Sequence, residues 1–207
     1  MSRDALTALF ESAAVAFIGA SSDPYKLGGR PIRFLRELGY EGTIYPVNPA
    51  ADTIQGLPAF RQLDDIPGPL EHAVIVVPAA ACEAALEACV RKGVRVVQIF
   101  TSGFAEIGPE GAAVQQRLLA RAQAAGIRLL GPNCLGVVSP ANRFFATFST
   151  ALEALVPQPG AIALATQSGA FGSCAYATAI QRGMGLSRVV ATGNEADLHA
   201  AGCIAWP

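Results

Sequence analysis

Charge is scarce in this sequence and almost balanced. Of 207 residues, 15% are Asp, Glu, Lys or Arg, and the formal net charge is −1. Without a basic excess there is no electrostatic footprint for nucleic acid or an anionic membrane surface, so any anion site must come from local geometry. Long apolar runs are missing as well. No uninterrupted run of about 18 apolar residues occurs, so no membrane span is expected. The opening MSRDALTALFESAAVAFIGAS has no h-region of the signal-peptide kind. The five cysteines, Cys82, Cys89, Cys134, Cys174 and Cys203, are odd in number and form no CxxC pair. Metal-ligand spacing is therefore absent, an extracellular disulfide framework is disfavoured, and a cytoplasmic location with reduced thiols is expected. Histidine is rarer still, with only His72 and His199.

What the chain does have is apolar residues, 52% of the total, enough for at least one sizeable core in one or two domains. Residues 14–18 (AVAFI) predict a strand. Ile32, Leu35 and Leu38 recur at helical spacing over 29–38, and Gly39 closes that helix. Strands are predicted at 43–47, 72–77, 94–100 and 127–130, with helices at 80–92 and 109–125 between the later ones. This βα alternation with short connections predicts a doubly wound, Rossmann-like parallel sheet. From 131 to 159 the alternation breaks into segments expected to be irregular, and a boundary is expected near 156–160. A strand at 161–166, a helix at 169–182 and a strand at 187–192 then begin a second α/β unit. The expected domains are 1–150 and 156–207.

In such a sheet, ligands bind beyond the carboxyl ends of the strands. After the first strand comes Gly19-Ala20-Ser21-Ser22-Asp23-Pro24-Tyr25-Lys26-Leu27-Gly28-Gly29-Arg30. Gly19 permits a tight turn, Ser21 and Ser22 supply hydroxyls, and Lys26 and Arg30 supply positive charge. The helix that follows is expected to offer free N–H groups to an anion. The loop is not GxGxxG, and a glycine turn with a Ser/Asp helix cap reads the same residues equally simply. The second strand ends Val47-Asn48-Pro49, with no carboxylate before Asp52. An NAD site normally has an acidic residue there for the ribose hydroxyl. Coenzyme A carries a 3′-phosphate on that ribose, which a carboxylate would repel, so Asn48 fits coenzyme A better. Asn-Pro as a plain turn former is the alternative. The later strand ends, with Pro78, Thr101-Ser102-Gly103 and Gly131-Pro132-Asn133-Cys134, are small, polar or rigid and suit an uncharged pantetheine arm. No Ser/His/Asp constellation accompanies them.

IGASSDPYKLGG, YPVNP, VVPA, FTSGFAEIGPEG, GPNCLGVVSP, ALATQSGAFG and ATGNEADL follow one another along nearly the whole chain. Together they resemble the coenzyme-A-binding part of ADP-forming (NDP-forming) acetyl-CoA and other acyl-CoA synthetases, relatives of the succinyl-CoA synthetase alpha subunit. The resemblance implies a coenzyme-A-binding Rossmann-like domain followed by the start of a flavodoxin-like domain. It implies that Ser21, Ser22, Thr101 and Ser102 contact coenzyme A and that Asn133 forms the floor near the thiol. It also implies that the helix opening at Gln167-Ser168-Gly169 receives the phosphate of a phosphohistidine, a role that bare N–H groups and the helix dipole can fill. An ordinary Ser-capped helix is the simpler alternative. The alpha subunit's lysine after strand two falls at Pro49 here, leaving Lys26 or Arg30 to take its place.

The resemblance implies a parent reaction, acyl-CoA + ADP + phosphate = acid + ATP + coenzyme A, with ATP/ADP and Mg²⁺ held by an ATP-grasp domain or subunit. Neither histidine fits the family's carrier motif: His72 opens a strand and His199 follows GNEADL. The chain is therefore expected to be the front part of such a ligase, without catalytic residues and inactive alone. A homo-oligomer is compatible with this reading. A stand-alone coenzyme-A-sensing module is the rival; an NAD(P) enzyme is disfavoured by the missing GxGxxG and acidic residue.

Overall fold

In a computed structural model of the chain, residues 3–204 are described. Helix α1 (Arg3–Phe10) leads into β1 (Ala14–Ile18), α2 (Arg30–Glu37) and β2 (Thr43–Val47). A small hairpin of β3 (Thr53–Ile54) and β4 (Leu57–Pro58) precedes β5 (His72–Ile75). Then come α3 (Cys82–Lys92), β6 (Val96–Ile99), α4 (Pro109–Ala124) and β7 (Arg128–Leu130). The five longer strands form one parallel sheet in the order β2-β1-β5-β6-β7. Every residue of β5 and β6 is buried, as expected of strands covered on both faces.

Alternate residues of these strands feed two cores. Val15, Phe17, Val74 and Val96 pack with Leu6 and Leu9 of α1 and Ile32 and Leu35 of α2. Ala16, Ala73, Ile75, Val97 and Ile99 pack on the other face with Leu86 and Cys89 of α3 and Leu118 and Ala122 of α4. The period of two along a strand is what makes the sheet doubly wound. This is the Rossmann-like α/β architecture expected. Strands β5 and β6 are shorter than expected because the flanking residues already turn towards the loops.

The stretch from 131 to 159 is not wholly irregular. Gly136–Val138 forms β8, which pairs antiparallel with β10 (Leu186–Ala191), while β9 (Pro159–Thr166) pairs parallel with β10 on its other side. Helix α5 (Gly169–Gln181) joins β9 to β10, and α6 (Ala200–Ile204) follows. Three buried residues between glycine- and proline-rich turns leave too short a pattern for a strand to be read from sequence. The α1/α2-side core continues without a break into this sheet through Phe144, Phe145, Tyr176, Val189 and Val190.

Candidate functional site

Counting only the parallel strands, the order is 2-1-3-4-5, which reverses between β1 and β5 and opens a crevice at their carboxyl ends. Gly19 turns the chain there with φ +91°. A Cβ on Gly19 would lie 2.8 Å from the Val76 carbonyl oxygen, so the loop runs directly against the end of β5. The N–H groups of Gly19 and Ala20 both donate to Val47 O, at 3.0 and 3.2 Å. Ser21 Oγ accepts the Asp23 N–H at 3.1 Å, whereas Ser22 is exposed. The expected anion cradle at the start of α2 is reduced: the N–H groups of Gly29 and Arg30 both donate to Lys26 O, and Pro31 has none.

Two amide side chains hold this loop. Asn48 Nδ2 donates to Ala20 O at 2.8 Å, and its Oδ1 accepts the Ala50 N–H at 2.8 Å. Gln55 Nε2 donates to Ser21 O at 3.1 Å and to Gly29 O at 2.9 Å. Gln55 lies in the β3–β4 turn with φ 49°, and no sequence signal pointed to it. Of the two basic candidates, Arg30 is committed elsewhere. Its Nε meets Glu153 at 3.2 Å and its Nη1 donates to Phe148 O at 3.4 Å. Lys26 is exposed and has no carboxylate partner among the described residues.

At the next strand ends, Pro78 and Ser102 are exposed, and Thr101 Oγ1 donates to Val77 O at 2.6 Å. Thr101 can therefore offer a ligand a lone pair but not its proton. The Asn133 N–H donates to Thr101 O at 3.0 Å, which ties the ends of β6 and β7 together. Cys134, beside it, is fully buried; burial pushes its thiol up to about 12, so it is not a nucleophile at neutral pH.

Asn133 also lines a pocket of about 360 Å³ together with Gln167, Ser168 and Gly169, the opening of α5. Leu135, Phe148, Gly193 and Asn194 complete its wall. Ser168 Oγ accepts the Phe171 N–H at 3.3 Å, so the serine does cap the helix. The N–H groups of Gly169 and Ala170, in the first turn, have no intrahelical acceptor, and both residues line the same pocket. A residue expected near a thiol and a helix start expected to hold phosphate thus share one cavity. No cluster of three or more His, Cys, Asp or Glu side chains that could hold a metal occurs among the described residues. His199 lies outside the pocket lining, with Nδ1 3.7 Å from Glu195 Oε2.

The strand-end groups fit coenzyme A in kind: a neutral amide rather than a carboxylate ends β2, Thr101, Ser102 and Asn133 at the later ends are uncharged, and the Lys26 ammonium lies in the first loop. Residues 13–140 match the family described as CoA binding domain, and residues 159–206 match the succinyl-CoA ligase like flavodoxin domain. The chain is 44% identical over 200 residues to the alpha subunit of acetate–CoA ligase [ADP-forming] I of Pyrococcus furiosus, covering 95% of this chain and 42% of that protein. For the alpha subunit of ligase II of the same organism the identity is 38%, over 93% of this chain and 41% of the relative. The apo structure of a dinucleotide-forming acetyl-coenzyme A synthetase 1 of Candidatus Korarchaeum cryptofilum superimposes with a TM-score of 0.88 at 36% identity, covering 95% of this chain and 42% of that one. The chain thus spans about two fifths of the length of these relatives. By the extent of the first match, the chain belongs to the CoA binding domain family.

Proposed function

We propose that the chain holds coenzyme A or its acyl thioester across the carboxyl ends of β1, β2, β5, β6 and β7, with the thiol end directed towards Asn133. The observation that carries this reading is the single pocket shared by Asn133 and the start of α5. An acyl group leaving the thiol there would meet, within the same cavity, a phosphate held by helix N–H groups.

In this reading Gly19, Ser21 and Ser22 bring the first loop's backbone and hydroxyls to the diphosphate. Asn48 keeps that loop in place and leaves the end of β2 uncharged. Lys26 pairs with the 3′-phosphate, since Arg30 is engaged by Glu153. Pro78, Thr101 and Ser102 border the pantetheine arm, and Gln167, Ser168 and Gly169 open the phosphate subsite.

The whole reaction we assign to the parent enzyme is acyl-CoA + ADP + phosphate = acid + ATP + coenzyme A. The nucleotide and Mg²⁺ would be held by an ATP-grasp partner domain or subunit, and this chain would supply the coenzyme site. We also read the chain as two units, 1–150 and 156–207, which the separate ranges of the two family matches support. Strand β8 is then a strand that the first unit lends to the second sheet. Free thiols, four of five of them buried, support a reducing, cytoplasmic setting.

Calorimetric titration with coenzyme A, acetyl-CoA and NAD side by side tests the reading. Both coenzyme A forms are expected to bind and NAD is not. Dephospho-coenzyme A is expected to bind more weakly than coenzyme A, and Lys26→Ala is expected to erase that difference. Binding of NAD alone would overturn the assignment.

A further inference from the structure

Three loops around the proposed thiol end converge on one carboxylate. Glu106 lies in a 3-10 turn, Ala105–Ile107, beyond the end of β6. Its Oε1 accepts the Gly103 N–H at 2.5 Å, and its Oε2 accepts the Phe104 N–H at 3.1 Å. Oε2 also accepts the side-chain amide of Asn194 at 2.5 Å, and the same amide donates to Oε1 of buried Gln115 at 3.0 Å. Asn194 is itself fixed by its N–H to Pro132 O, at 2.9 Å, and its Oδ1 accepts the side-chain amide of Asn133 at 3.4 Å. The turn after β6, the turn after β7 and the segment after β10 are thus joined through Glu106 and Asn194.

Burial works to raise the Glu106 carboxyl, but the bonds from Asn194 and from the Gly103 and Phe104 N–H groups outweigh it and hold the carboxyl below its ordinary range. Charge-assisted bonds of this kind fix geometry well. Glu106 remains exposed as a residue, so its contribution to global stability is expected to be small.

Resting on the coenzyme reading above, we propose that Glu106 is a positioning residue for the pantetheine end of the ligand. It sets the Thr101-Ser102-Gly103 turn and, through Asn194, the Asn133 side chain in one arrangement. Glu106→Gln keeps the shape but turns one acceptor into a donor. That donor then opposes either the Asn194 amide or a backbone N–H, and Asn133 loses its fixed acceptor. The first loop and the end of β2, where the nucleotide end is assigned, lie at the other side of the crevice and keep their bonds.

Calorimetry of wild type and Glu106→Gln with two probes separates positioning from general support. The probes are coenzyme A and 3′-phospho-ADP, the nucleotide part without pantetheine. Coenzyme A is expected to bind about tenfold more weakly to the variant, the equivalent of one hydrogen bond. Binding of 3′-phospho-ADP and the melting temperature are expected to stay unchanged. Asn194→Ala should give the same split, and the double variant should add nothing further. Equal weakening of both probes would mean a merely structural role and overturn the proposal, as would no change in either. A wild-type protein that binds neither probe would overturn the coenzyme reading itself, and this proposal with it.

Discussion

The side-chain amide of Asn48 donates to the carbonyl of Ala20 across 2.8 Å, so the end of β2 holds the loop that follows β1. Its Oδ1 accepts from the Ala50 N–H at the same time. Asn48→Asp keeps the second bond and replaces the first donor by an anion facing a carbonyl. It is expected to weaken coenzyme A binding more than Asn48→Ala does. Asn48→Ala should lower stability by about 1–3 kcal/mol, the net worth of the two hydrogen bonds it removes. Thermal melting and titration of both variants check the order.

Gly19 is constrained in two ways, by φ +91° and by the Val76 oxygen 2.8 Å from where a Cβ would sit. Gly19→Ala is expected to cost at least about 1–3 kcal/mol in urea denaturation, the cost of its left-handed backbone, with the contact of its Cβ against Val76 O in addition. Gly19→Val, whose branched side chain adds bulk beyond the Cβ against Val76 O and the Val77 side chain, should lose more stability and all coenzyme binding. The close approach of Gly19 to the end of β5 makes a loss of stability accompany the loss of binding.

His72 gives the fold a pH dependence. It is fully buried, its Nε2 lies 2.7 Å from Gln98 Nε2, and its ring centroid is 5.4 Å from that of Phe144. Burial lowers its pKa from 6.5 to about 3, with the Ala8 backbone acting weakly the other way. Between those values the unfolded chain binds a proton that the folded chain refuses. The contribution of neutral His72 is therefore full above the unfolded value and is lost as pH falls, by up to about 1.4 kcal/mol per pH unit. Chemical denaturation between neutral pH and the onset of carboxylate titration is expected to show this slope in wild type and a flatter one in His72→Gln.

His199 is expected to carry no phosphate. Its side chain is 61% exposed and lies outside the pocket that Gly169 and Ala170 line. Incubation of this chain with radiolabelled ATP and Mg²⁺ should leave no acid-labile, alkali-stable label. Label that disappears in His199→Ala would make this histidine the carrier.

The parallel sheet was legible because its signals are local. β5 and β6 are mostly apolar and buried on both faces, and Ile32 and Leu35 mark the buried side of α2. The loops after each strand followed from the strand ends. What stayed hidden depends on partners distant in sequence. Strand β8 exists only because Val137 and Val138 pair with Val190 and Val189, some fifty residues later. Arg30 reads as a free cation until Glu153 is placed beside it. Gln55 reads as a turn residue, and its two bonds to the first loop carry no sequence signature. The meeting of Asn133 with Gly169 likewise depends on how α5 docks.

The central claim concerns where the coenzyme lies, and hydrogen–deuterium exchange with and without saturating coenzyme A tests it most directly. Slowed exchange is expected at 19–29, 101–104 and 131–135, with the outer faces of α3 and α4 unchanged. A larger groove of about 560 Å³, lined by Tyr40, Ile44, Tyr45, Leu57 and Phe60, runs beside the edge strand β2. Protection confined to that groove, with the strand-end loops exchanging as in the free protein, would contradict the account.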